Sequence, residues 1–309
     1  MAARIGLIGA RGHTGRELLR LIAGRVDMDL AFASSREFAG RPVAEMAPEI
    51  TTGLDFVAMA PDDIAGSGVD AVILALPNGA AASFVAGVPD GTVIVDLSAD
   101  YRFDDNWVYG LPEIHGREAI AGARRISNPG CYATAGQLAI APMRGLIQGD
   151  AHVFGVSGCS GAGTTPSRKN DTEALADNLM PYSLTGHIHE REMARHMGEG
   201  VRFTPHVAEF FRGIVATTHL TLNEPMTREA LMARYRDAYA GEALIKVTDG
   251  IPEVRDGANQ PGAVIGGFGL DESGRKAVIV STLDNLLKGA ATQAMQNLSL
   301  ALGLPEQAV

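Results

Sequence analysis

Short apolar runs and helically spaced apolar residues alternate along the first 130 residues. The apolar runs predict strands at residues 4–8, 28–34, 69–76 and 92–97, and the helical spacing predicts helices at residues 16–22 and 79–86. Strands that alternate with helices form a parallel sheet that is covered on both faces. The pattern therefore predicts a parallel α/β domain in this part of the chain.

Beyond about residue 130 the apolar runs become longer and are separated by turns rich in glycine and proline. They predict strands at residues 153–156, 213–222, 263–270 and 276–282, with helices at residues 168–178 and 228–239. This order is typical of an α+β domain with a mixed or mostly antiparallel sheet. The last segment, residues 286–302, has leucine, alanine and methionine at helical spacing and predicts a closing amphipathic helix.

Composition and charge narrow the class of protein. The formal net charge of the 309 residues is −10 and the 26 basic residues are scattered, which argues against a nucleic-acid surface. The uncharged stretch 71–89 is interrupted by Pro77-Asn78-Gly79, so we interpret it as strand, turn and helix and expect no membrane partner. The apolar run after Arg4 is too short for a signal peptide, and two cysteines are too few for a disulfide framework. We therefore expect a cytoplasmic protein.

Three glycines mark the turn between the first predicted strand and the first predicted helix. Their spacing lets the backbone turn sharply, approach a pyrophosphate and begin a helix whose amides face the anion. A glycine-rich turn without a ligand has the same composition, but the position between strand and helix favours a dinucleotide site. The predicted cofactor loop comprises Gly9, Arg11, Gly12, His13, Thr14 and Gly15.

The end of the second predicted strand bears on which nucleotide is bound. An NAD site usually has an acidic residue there, which holds the ribose hydroxyls. This strand ends instead in Ser34, Ser35 and Arg36, and the first carboxylate is that of Glu37. Hydroxyls and a guanidinium can donate to a 2′-phosphate, so the sequence favours NADP, with a solvated surface charge as the other interpretation of Arg36.

Cys131 follows the turn residues Asn128, Pro129 and Gly130 and precedes an apolar helical segment that reaches about Leu146. At a helix N-terminus the dipole lowers the pKa of a thiol and favours the nucleophilic thiolate. A free cysteine is also a common small core residue. Position alone therefore leaves a nucleophile and a packing residue equally open.

His187 and His189 lie two residues apart in Gly186-His187-Ile188-His189-Glu190. From a strand this spacing can bind a metal ion, but no third and fourth ligands cluster nearby in the sequence, so we expect no metal. One imidazole can instead serve as an acid and base, and a surface pair of histidines is the remaining interpretation.

Seven segments together resemble the N-acetyl-γ-glutamyl-phosphate reductase family, which is related to aspartate-semialdehyde dehydrogenase. They follow one another along nearly the whole chain, which a chance motif match would not do. The segments are residues 9–15, 96–103, 109–113, 126–142, 157–163, 203–206 and 284–291.

The resemblance implies an architecture of two domains. It implies a Rossmann domain that binds NADP, formed by residues 1–130 together with 286–309, whose C-terminal helix returns to pack on it. It implies a catalytic and oligomerisation α+β domain with a mixed sheet at residues 131–285. It also implies a homodimer or homotetramer that acts on a small-molecule acyl phosphate.

The resemblance also implies roles for individual residues. Cys131 corresponds to the nucleophile, and one of the two histidines to the acid and base, for which we favour His189 over His187. The further cofactor residues that it implies are Pro77, Ser160, Gly161 and Asn285, and the implied substrate residues are Arg102, Asn128, Ser157, Tyr182 and His206.

Arg102 is also a candidate on its own position, because loops that follow the strands of an α/β sheet line the ligand crevice. A guanidinium there can hold a carboxylate or a phosphate with two hydrogen bonds. Arg212 and Lys288 are weaker candidates for the same task, and we interpret each of them as a solvated charge.

The expected reaction is the NADPH-dependent reduction of N-acetyl-γ-glutamyl phosphate to N-acetylglutamate 5-semialdehyde through a cysteine thioester, a step of arginine biosynthesis. One alternative is a related reductase acting on aspartyl phosphate or carrier-bound aminoadipyl phosphate. Another is a non-catalytic, NADP-binding redox sensor. Two positions depart from the family pattern: Asn78, where histidine is frequent, and Thr164-Thr165, where a basic residue is common.

Overall fold

The computed structural model describes residues 2–198 and 200–306, and the chain divides into two compact units. The first unit contains the described residues up to Gly130 and those from Ala290 onward, and the second runs from Cys131 to Gly289. The predicted domains differ at residues 286–289, which the prediction assigns to the first domain and the structure groups with the second unit.

A six-stranded parallel sheet forms the centre of the first unit. Its spatial order is β2-β1-β3-β4-β6-β5, so the carboxyl ends of all its strands lie at one edge. The strands are β1 (Ala3–Ile8), β2 (Met28–Ser34), β3 (Ala71–Leu74), β4 (Val93–Asp96), β5 (Val108–Tyr109) and β6 (Arg125–Ser127). The four strands predicted from apolar runs are confirmed within one or two residues at each end. Strands β1, β3 and β4 are largely buried, which explains their nearly continuous apolar sequences.

Three helices of the first unit connect these strands. They are α1 (His13–Ala23), α2 (Ala81–Gly87) and the single turn α3 (Pro112–His115). Leu18, Leu19 and Ile22 form the buried face of α1, in one core with Ile5 of β1. The glycine loop between β1 and α1 is therefore anchored at both ends in the core.

The second unit is built on a mixed sheet of seven strands, as predicted. The spatial order is β11-β12-β13-β10-β7-β9-β8, in which β7 and β9 are parallel, as are β11 and β12, and the other neighbours are antiparallel. The strands are β7 (Ala151–Gly158), β8 (Leu179–Pro181), β9 (Val201–Ala208), β10 (Ile214–Thr221), β11 (Ile245–Val247), β12 (Ala263–Leu270) and β13 (Lys276–Leu283).

Helices of the second unit cover one face of this sheet. They are α4 (Cys131–Ile140), α5 (Thr172–Leu175), α6 (Ile188–Met197), α7 (Arg228–Ala238) and α8 (Val254–Gly257). Helix α4 packs on β10 and β13, and α6 packs on α4 and β9. A Cβ atom at Gly155 of β7 would collide with the ring of Tyr132 on α4, so Gly155 faces the helices. Phe154, its neighbour on the strand, faces the opposite side and is 40% exposed.

The C-terminal helix belongs to the first unit, which confirms the prediction that it returns there. A π-helical turn at Leu287–Ala291 precedes α9 (Thr292–Ala301). Helix α9 packs against α1 and β4, and its residues Ala294, Met295 and Leu298 lie in the core of that unit. The amide of Asn297 donates to the Gly110 carbonyl and to Oδ1 of Asn128, each at 2.9 Å.

The sequence prediction fails for two helices of the second unit between residues 168 and 197. The helix predicted at 168–178 is reduced to the single turn α5, which Asp171 caps by accepting from the amides of Glu173 and Ala174. Helix α6 was not predicted, because its sequence contains few apolar residues.

Within the described part of the chain, no helix is long and apolar enough to cross a bilayer.

Candidate active site

Two of the three glycines in the cofactor loop are required by the packing of the loop itself. Gly9 has φ +84°, and a Cβ atom there would lie 2.2 Å from the Ala75 carbonyl oxygen. A Cβ atom at Gly15 would lie 2.5 Å from the carbonyl oxygen of Ala10. Only glycine allows these close backbone approaches.

Gly12 differs, because none of the described residues crowds it. It is the N-cap residue of α1, and a Cβ atom there would meet no atom nearer than the Gly9 oxygen at 3.9 Å. No side chain caps this end of α1 in the described structure, and no acidic residue lies in its first turn. The space beside Gly12 and the amides of the helix end suit an approaching pyrophosphate, so these residues fit the expected dinucleotide.

His13 is the first residue of α1, and Thr14 follows it. Burial lowers the pKa of His13, and the neighbouring Arg16 adds to the effect. The lowered pKa favours the neutral imidazole, which can offer a hydrogen bond rather than a charge.

The end of β2 lies beside the glycine loop, through an ion pair between Arg11 of the loop and Glu37. This pair compensates the carboxylate nearest to the expected 2′-phosphate. Ser34 and Ser35 are buried, and each hydroxyl oxygen accepts a backbone amide at 3.2 Å. Their oxygens thus hold turns in place, while the exposed Arg36 is the group most accessible to a phosphate.

The turn after β3 contains the exposed Pro77 and the first departure from the family pattern, Asn78. Oδ1 of Asn78 accepts the amide of Ala99 at 2.9 Å, and the Asp100 carboxylate accepts the amide of Gly79 at 2.6 Å. Asn78 therefore ties the turn after β3 to the loop after β4, a task that an amide side chain performs without a titrating group.

Arg102 and Asn128 meet at the carboxyl ends of β4 and β6. Nε of Arg102 donates to the Asn128 carbonyl at 2.9 Å, and Nη2 donates to the Leu97 carbonyl at 2.8 Å. Both side chains are buried. These two hydrogen bonds orient the guanidinium of Arg102 at the edge of the sheet where ligands of α/β folds bind.

Cys131 begins α4, which confirms its predicted position at a helix N-terminus. It is half-buried, whereas the other nine residues of the helix are buried. A Cβ atom at Gly289 would lie 2.7 Å from the Cys131 Cβ, and one at Gly136 would lie 2.3 Å from Sδ of Met193. These two glycines let the turn after β13 and helix α6 approach the N-terminal part of α4.

Rings from three parts of the second unit surround Tyr132, the neighbour of Cys131. The centroid of its ring lies 6.0 Å from that of His189, 6.4 Å from that of His187 and 4.9 Å from that of Phe203. The ring of Tyr182 lies 5.7 Å from that of His187. We refer to Cys131, Tyr132, Tyr182, His187 and His189 as the cysteine–histidine cluster.

The two histidines lie at the start of α6 and not on a strand. His187 is its N-cap residue, and Nδ1 of His187 accepts the backbone amide of His189 at 3.1 Å. Burial lowers the pKa of His187 to about 4, and the positive charge of Lys169 acts in the same direction. Burial also raises the pKa of Tyr182, and the charge of Cys131 raises it further, which places these two groups within electrostatic reach of each other.

A second group of polar residues joins the loops after β7, β9 and β13. Nδ2 of Asn285 donates to Oγ of Ser160 at 2.9 Å, and Oδ1 of Asn285 accepts the amide of Gly213 at 2.7 Å. Ser157 is buried and donates to the Gly158 carbonyl, and a Cβ atom at Gly161 would lie 2.9 Å from its hydroxyl. The structure thus brings together Ser157, Ser160, Gly161 and Asn285 within the second unit.

The interpretation of Arg212 and Lys288 as solvated charges is wrong. The Arg212 side chain is 15% exposed and forms two hydrogen bonds with the fully buried carboxylate of Asp284, from Nε at 2.5 Å and from Nη2 at 3.0 Å. Lys288 is completely buried. Charged side chains are rarely buried without partners, so these positions hold a structural network that the sequence did not reveal.

His206 lies on the other face of the sheet from the cysteine–histidine cluster. Its imidazole contacts Phe154 at 4.3 Å between centroids, whereas Phe203, three residues earlier on β9, contacts Tyr132 and His187. Only the backbone carbonyl of His206 reaches the cluster, where it accepts the Tyr132 hydroxyl at 2.5 Å. This placement argues against the expected role of the His206 side chain in substrate binding.

Our sequence reasoning gave no role to Tyr132, which contacts both histidines of the cluster, or to Asp284, which binds Arg212. The position of Tyr132 directly after the cysteine could have identified it, because a buried phenol needs a hydrogen-bond partner. Asp284 had no such signal, because its partner Arg212 lies 72 residues away in the sequence.

Two family models match the chain. The semialdehyde dehydrogenase NAD binding domain matches residues 4–123, and the semialdehyde dehydrogenase dimerisation domain matches residues 131–285. The N-acetyl-gamma-glutamyl-phosphate reductase of Stenotrophomonas maltophilia is 58% identical over 306 residues, which cover 98% of this chain and 96% of that protein.

Solved structures of aspartate semialdehyde dehydrogenases have the same fold. Aspartate semialdehyde dehydrogenase II from Vibrio cholerae, complexed with ASA, matches with a TM-score of 0.78 at 19% identity, covering 98% of this chain and 99% of that one. The enzyme from Candida albicans with NADP matches with a TM-score of 0.74 at 14% identity, with the same coverage. At these identities the likeness is one of fold.

Proposed function

Because the chain belongs to the N-acetyl-γ-glutamyl-phosphate reductase family, we propose that it reduces N-acetyl-γ-glutamyl phosphate to N-acetylglutamate 5-semialdehyde with NADPH and releases phosphate. The observation that carries the proposal is Cys131, the half-buried first residue of an otherwise buried helix, in a chain that is 58% identical to such a reductase. This reaction is a step of arginine biosynthesis.

The first chemical step uses the thiolate of Cys131. It attacks the acyl carbon of the substrate, the carbon–oxygen bond to the phosphate breaks, and phosphate leaves with the electron pair, so that a thioester forms. The helix dipole of α4 favours the thiolate, and the backbone amides at the helix start stabilise the negative oxygen of the tetrahedral state.

The second step converts the thioester to the aldehyde. NADPH, when bound, supplies a hydride to the thioester carbon. An imidazolium of the cysteine–histidine cluster gives its proton to the oxygen, and a hemithioacetal forms. The carbon–sulfur bond then breaks, the hydroxyl proton returns to the imidazole, and the aldehyde and the thiolate are released. Of the two imidazoles in the cluster, we assign this proton transfer to His189.

For the cofactor we propose two groups of residues, each assigned within its own unit. In the first unit these are the glycine loop with Arg11, His13 and Thr14, together with Ser34, Ser35, Arg36 and Pro77. In the second unit they are Ser160, Gly161 and Asn285, whose hydrogen bonds support this assignment. NADP is favoured over NAD because the Arg11 guanidinium compensates the carboxylate of Glu37 and leaves Arg36 exposed for a 2′-phosphate.

For the substrate we propose Arg102, Asn128, Ser157 and Tyr182. The buried guanidinium of Arg102 supplies positive charge for an anionic group, and Asn128 orients it through its carbonyl. Ser157 offers a hydroxyl near Gly161, and the Tyr182 hydroxyl, protonated because burial raises its pKa, can donate. The His206 side chain is not carried forward, since it faces the opposite side of the sheet.

The reverse reaction provides the test. Purified protein should reduce NADP, followed by absorbance of the cofactor, when given N-acetylglutamate 5-semialdehyde and inorganic phosphate, and omission of phosphate should stop it. Aspartate semialdehyde, and a carrier-bound aminoadipate semialdehyde, are the competing substrates. Faster turnover of either would replace the proposed acyl group, and absence of turnover with all three would favour the redox sensor.

Chemical reactivity separates the redox-sensor alternative further. An activated thiolate should react with iodoacetamide at neutral pH much faster than free cysteine does, and NADP should protect it. Alkylation of Cys131 at the rate of an ordinary thiol would favour a sensor in which Cys131 only packs.

We also propose the domain organisation, the cellular location and the oligomer of this protein. The two domains correspond to the two compact units, with residues 286–289 in the second, and the location is cytoplasmic. The oligomer is built from a homodimer that uses the open face of the seven-stranded sheet. The exposed Phe154 and its contact with His206 support this face. Phe154→Arg should lower the molar mass measured by light scattering, whereas Val26→Arg, at a position that is 92% exposed in the first unit, should not. An unchanged mass for Phe154→Arg would exclude this surface.

A further inference from the structure

His187 has a structural role at the beginning of helix α6. Its backbone has φ −58° and ψ 139°, outside the helical region, and its carbonyl accepts the amide of Glu190 at 2.9 Å. Nδ1 of its imidazole accepts the backbone amide of His189 at 3.1 Å. This is the hydrogen bond that a serine or asparagine side chain forms at an N-cap position, to the second residue of the helix.

The hydrogen bond fixes the protonation state of His187. Because Nδ1 uses its lone pair to accept, the ring must be neutral with its proton on Nε2. A proton on Nδ1 would break the cap and put a positive charge at the positive end of the helix dipole. The cap therefore opposes proton uptake by this imidazole.

The surroundings of His187 also disfavour the protonated ring. Tyr132 of α4, Tyr182 after β8 and Phe203 of β9 enclose the ring at centroid distances of 6.4, 5.7 and 5.2 Å. Burial and the positive charge of Lys169 together lower its pKa to about 4, against the charge of Glu190, which raises it. An imidazole held neutral in this way is a poor proton carrier near pH 7.

His189 is the residue that this arrangement positions. Its ring centroid lies 4.8 Å from that of His187 and 6.0 Å from that of Tyr132, the neighbour of Cys131. Its backbone amide is the donor to the cap, so the cap fixes the place from which its side chain departs. We propose that His187 is a positioning residue, which caps α6 through Nδ1 and thereby holds His189, the acid and base, in place. This inference rests on the proposed reductase function.

Two isosteric substitutions separate capping from proton transfer. The amide oxygen of asparagine can take the place of Nδ1, whereas glutamine places its amide near the position of Nε2 and is a poor N-cap residue. His187→Ala and His187→Gln should each lower kcat about 10- to 100-fold, because the imidazole of His189 is then misplaced. His187→Asn should recover most of this loss. His189→Asn, which removes the proposed proton donor, should lower kcat about 100- to 10,000-fold.

The pH dependence of kcat gives a second measurement that a purely structural role would not move. The limb of the pH profile that reports ionisation of the catalytic imidazole should have the same midpoint in the wild type and in His187→Asn. If His187 carried the proton, His187→Asn would be as inactive as His187→Ala and would lose this limb, and either result would overturn the inference. Circular dichroism identifies any variant that fails to fold. If His187→Ala or His187→Gln does not fold, the activity of His187→Asn decides between the two roles.

The two proposals fail in distinguishable ways. A wild-type protein without phosphate-dependent activity contradicts the proposed function. Suppose that the wild type is active, and that His187→Gln is more active than His187→Ala whereas His187→Asn is not. That result contradicts only the positioning role of His187.

Discussion

The glycine loop of the first unit and the cysteine–histidine cluster of the second are built in different ways. The loop is one continuous backbone segment, in which Gly9 and Gly15 allow close contacts and the helix end presents amides. The cluster is made of side chains from three separate segments, which meet through ring contacts and one imidazole cap. The loop should therefore be sensitive to substitutions that add volume. The second unit should be sensitive to substitutions that remove a charge, a thiol or a hydrogen-bond acceptor.

The largest expected effect is on catalysis in the second unit. Cys131→Ser should remove essentially all turnover, because a serine hydroxyl is not ionised at neutral pH and cannot replace the thiolate. NADPH binding, measured by fluorescence titration, should change little, since Cys131 is not among the residues proposed to hold the cofactor. Cys159→Ser, at the other half-buried cysteine, is the matched control and should keep its activity. Turnover by Cys131→Ser would remove the basis of the proposed mechanism.

The buried charge network of the second unit should dominate its stability. Asp284→Asn leaves Arg212 without its carboxylate partner and should lower the free energy of unfolding by about 3–5 kcal/mol. Asp249→Asn is the control, because Asp249 pairs with Arg236 at the surface and should cost less than about 1 kcal/mol. Urea denaturation measures both, and equal losses would show that the burial of Asp284 adds nothing.

One titrating side chain of the first unit should work against its stability. Burial raises the pKa of Asp96 to about 6, from 3.8, although Ser98 donates to it. The folded state thus binds the proton more tightly than the unfolded state, and this stabilisation is complete below about pH 4 and lost as the pH rises through 6. The wild type should lose up to about 3 kcal/mol relative to Asp96→Asn between pH 4 and pH 8. A pH-independent difference in the free energy of unfolding would contradict the raised pKa.

The smallest expected effects test the loop itself. Gly9→Ala should lower the free energy of unfolding by about 1–3 kcal/mol, because φ is +84° and the new Cβ meets the Ala75 carbonyl. Gly12→Ala has open space and should cost at most about 1 kcal/mol, the scale of an N-cap change. It should nevertheless weaken NADPH binding, measured by fluorescence titration. The comparison fails if Gly12→Ala destabilises the fold more than Gly9→Ala does.

The sequence predicted the first unit well because its signals are local. Strands β1, β3 and β4 are largely buried, so each is a nearly uninterrupted apolar run. The glycine loop directly follows the first strand, and its position between a strand and a helix indicated the dinucleotide turn. The position of Cys131 at a helix start followed in the same way from the turn residues that precede it.

The arrangement of the second unit depended on contacts that the sequence does not show. Helix α6 lacks the serine, threonine, aspartate or asparagine that usually marks a helix start, because a histidine caps it. Strand β9 contains Pro205 and was not predicted, so the face occupied by His206 was not predictable either, since successive strand residues alternate between faces. The pairing of Arg212 with Asp284 spans 72 residues and has no local signal.

The close contact at Gly289 has a consequence for how this chain can vary over time. Since a methyl group there would stand 2.7 Å from the Cys131 Cβ, every other amino acid would displace the first turn of α4 or the turn that follows β13. Position 289 is thus coupled to the reactive sulfur although it contributes no atom to the chemistry. A substitution of this glycine should be retained in evolution only together with a compensating movement of the helix.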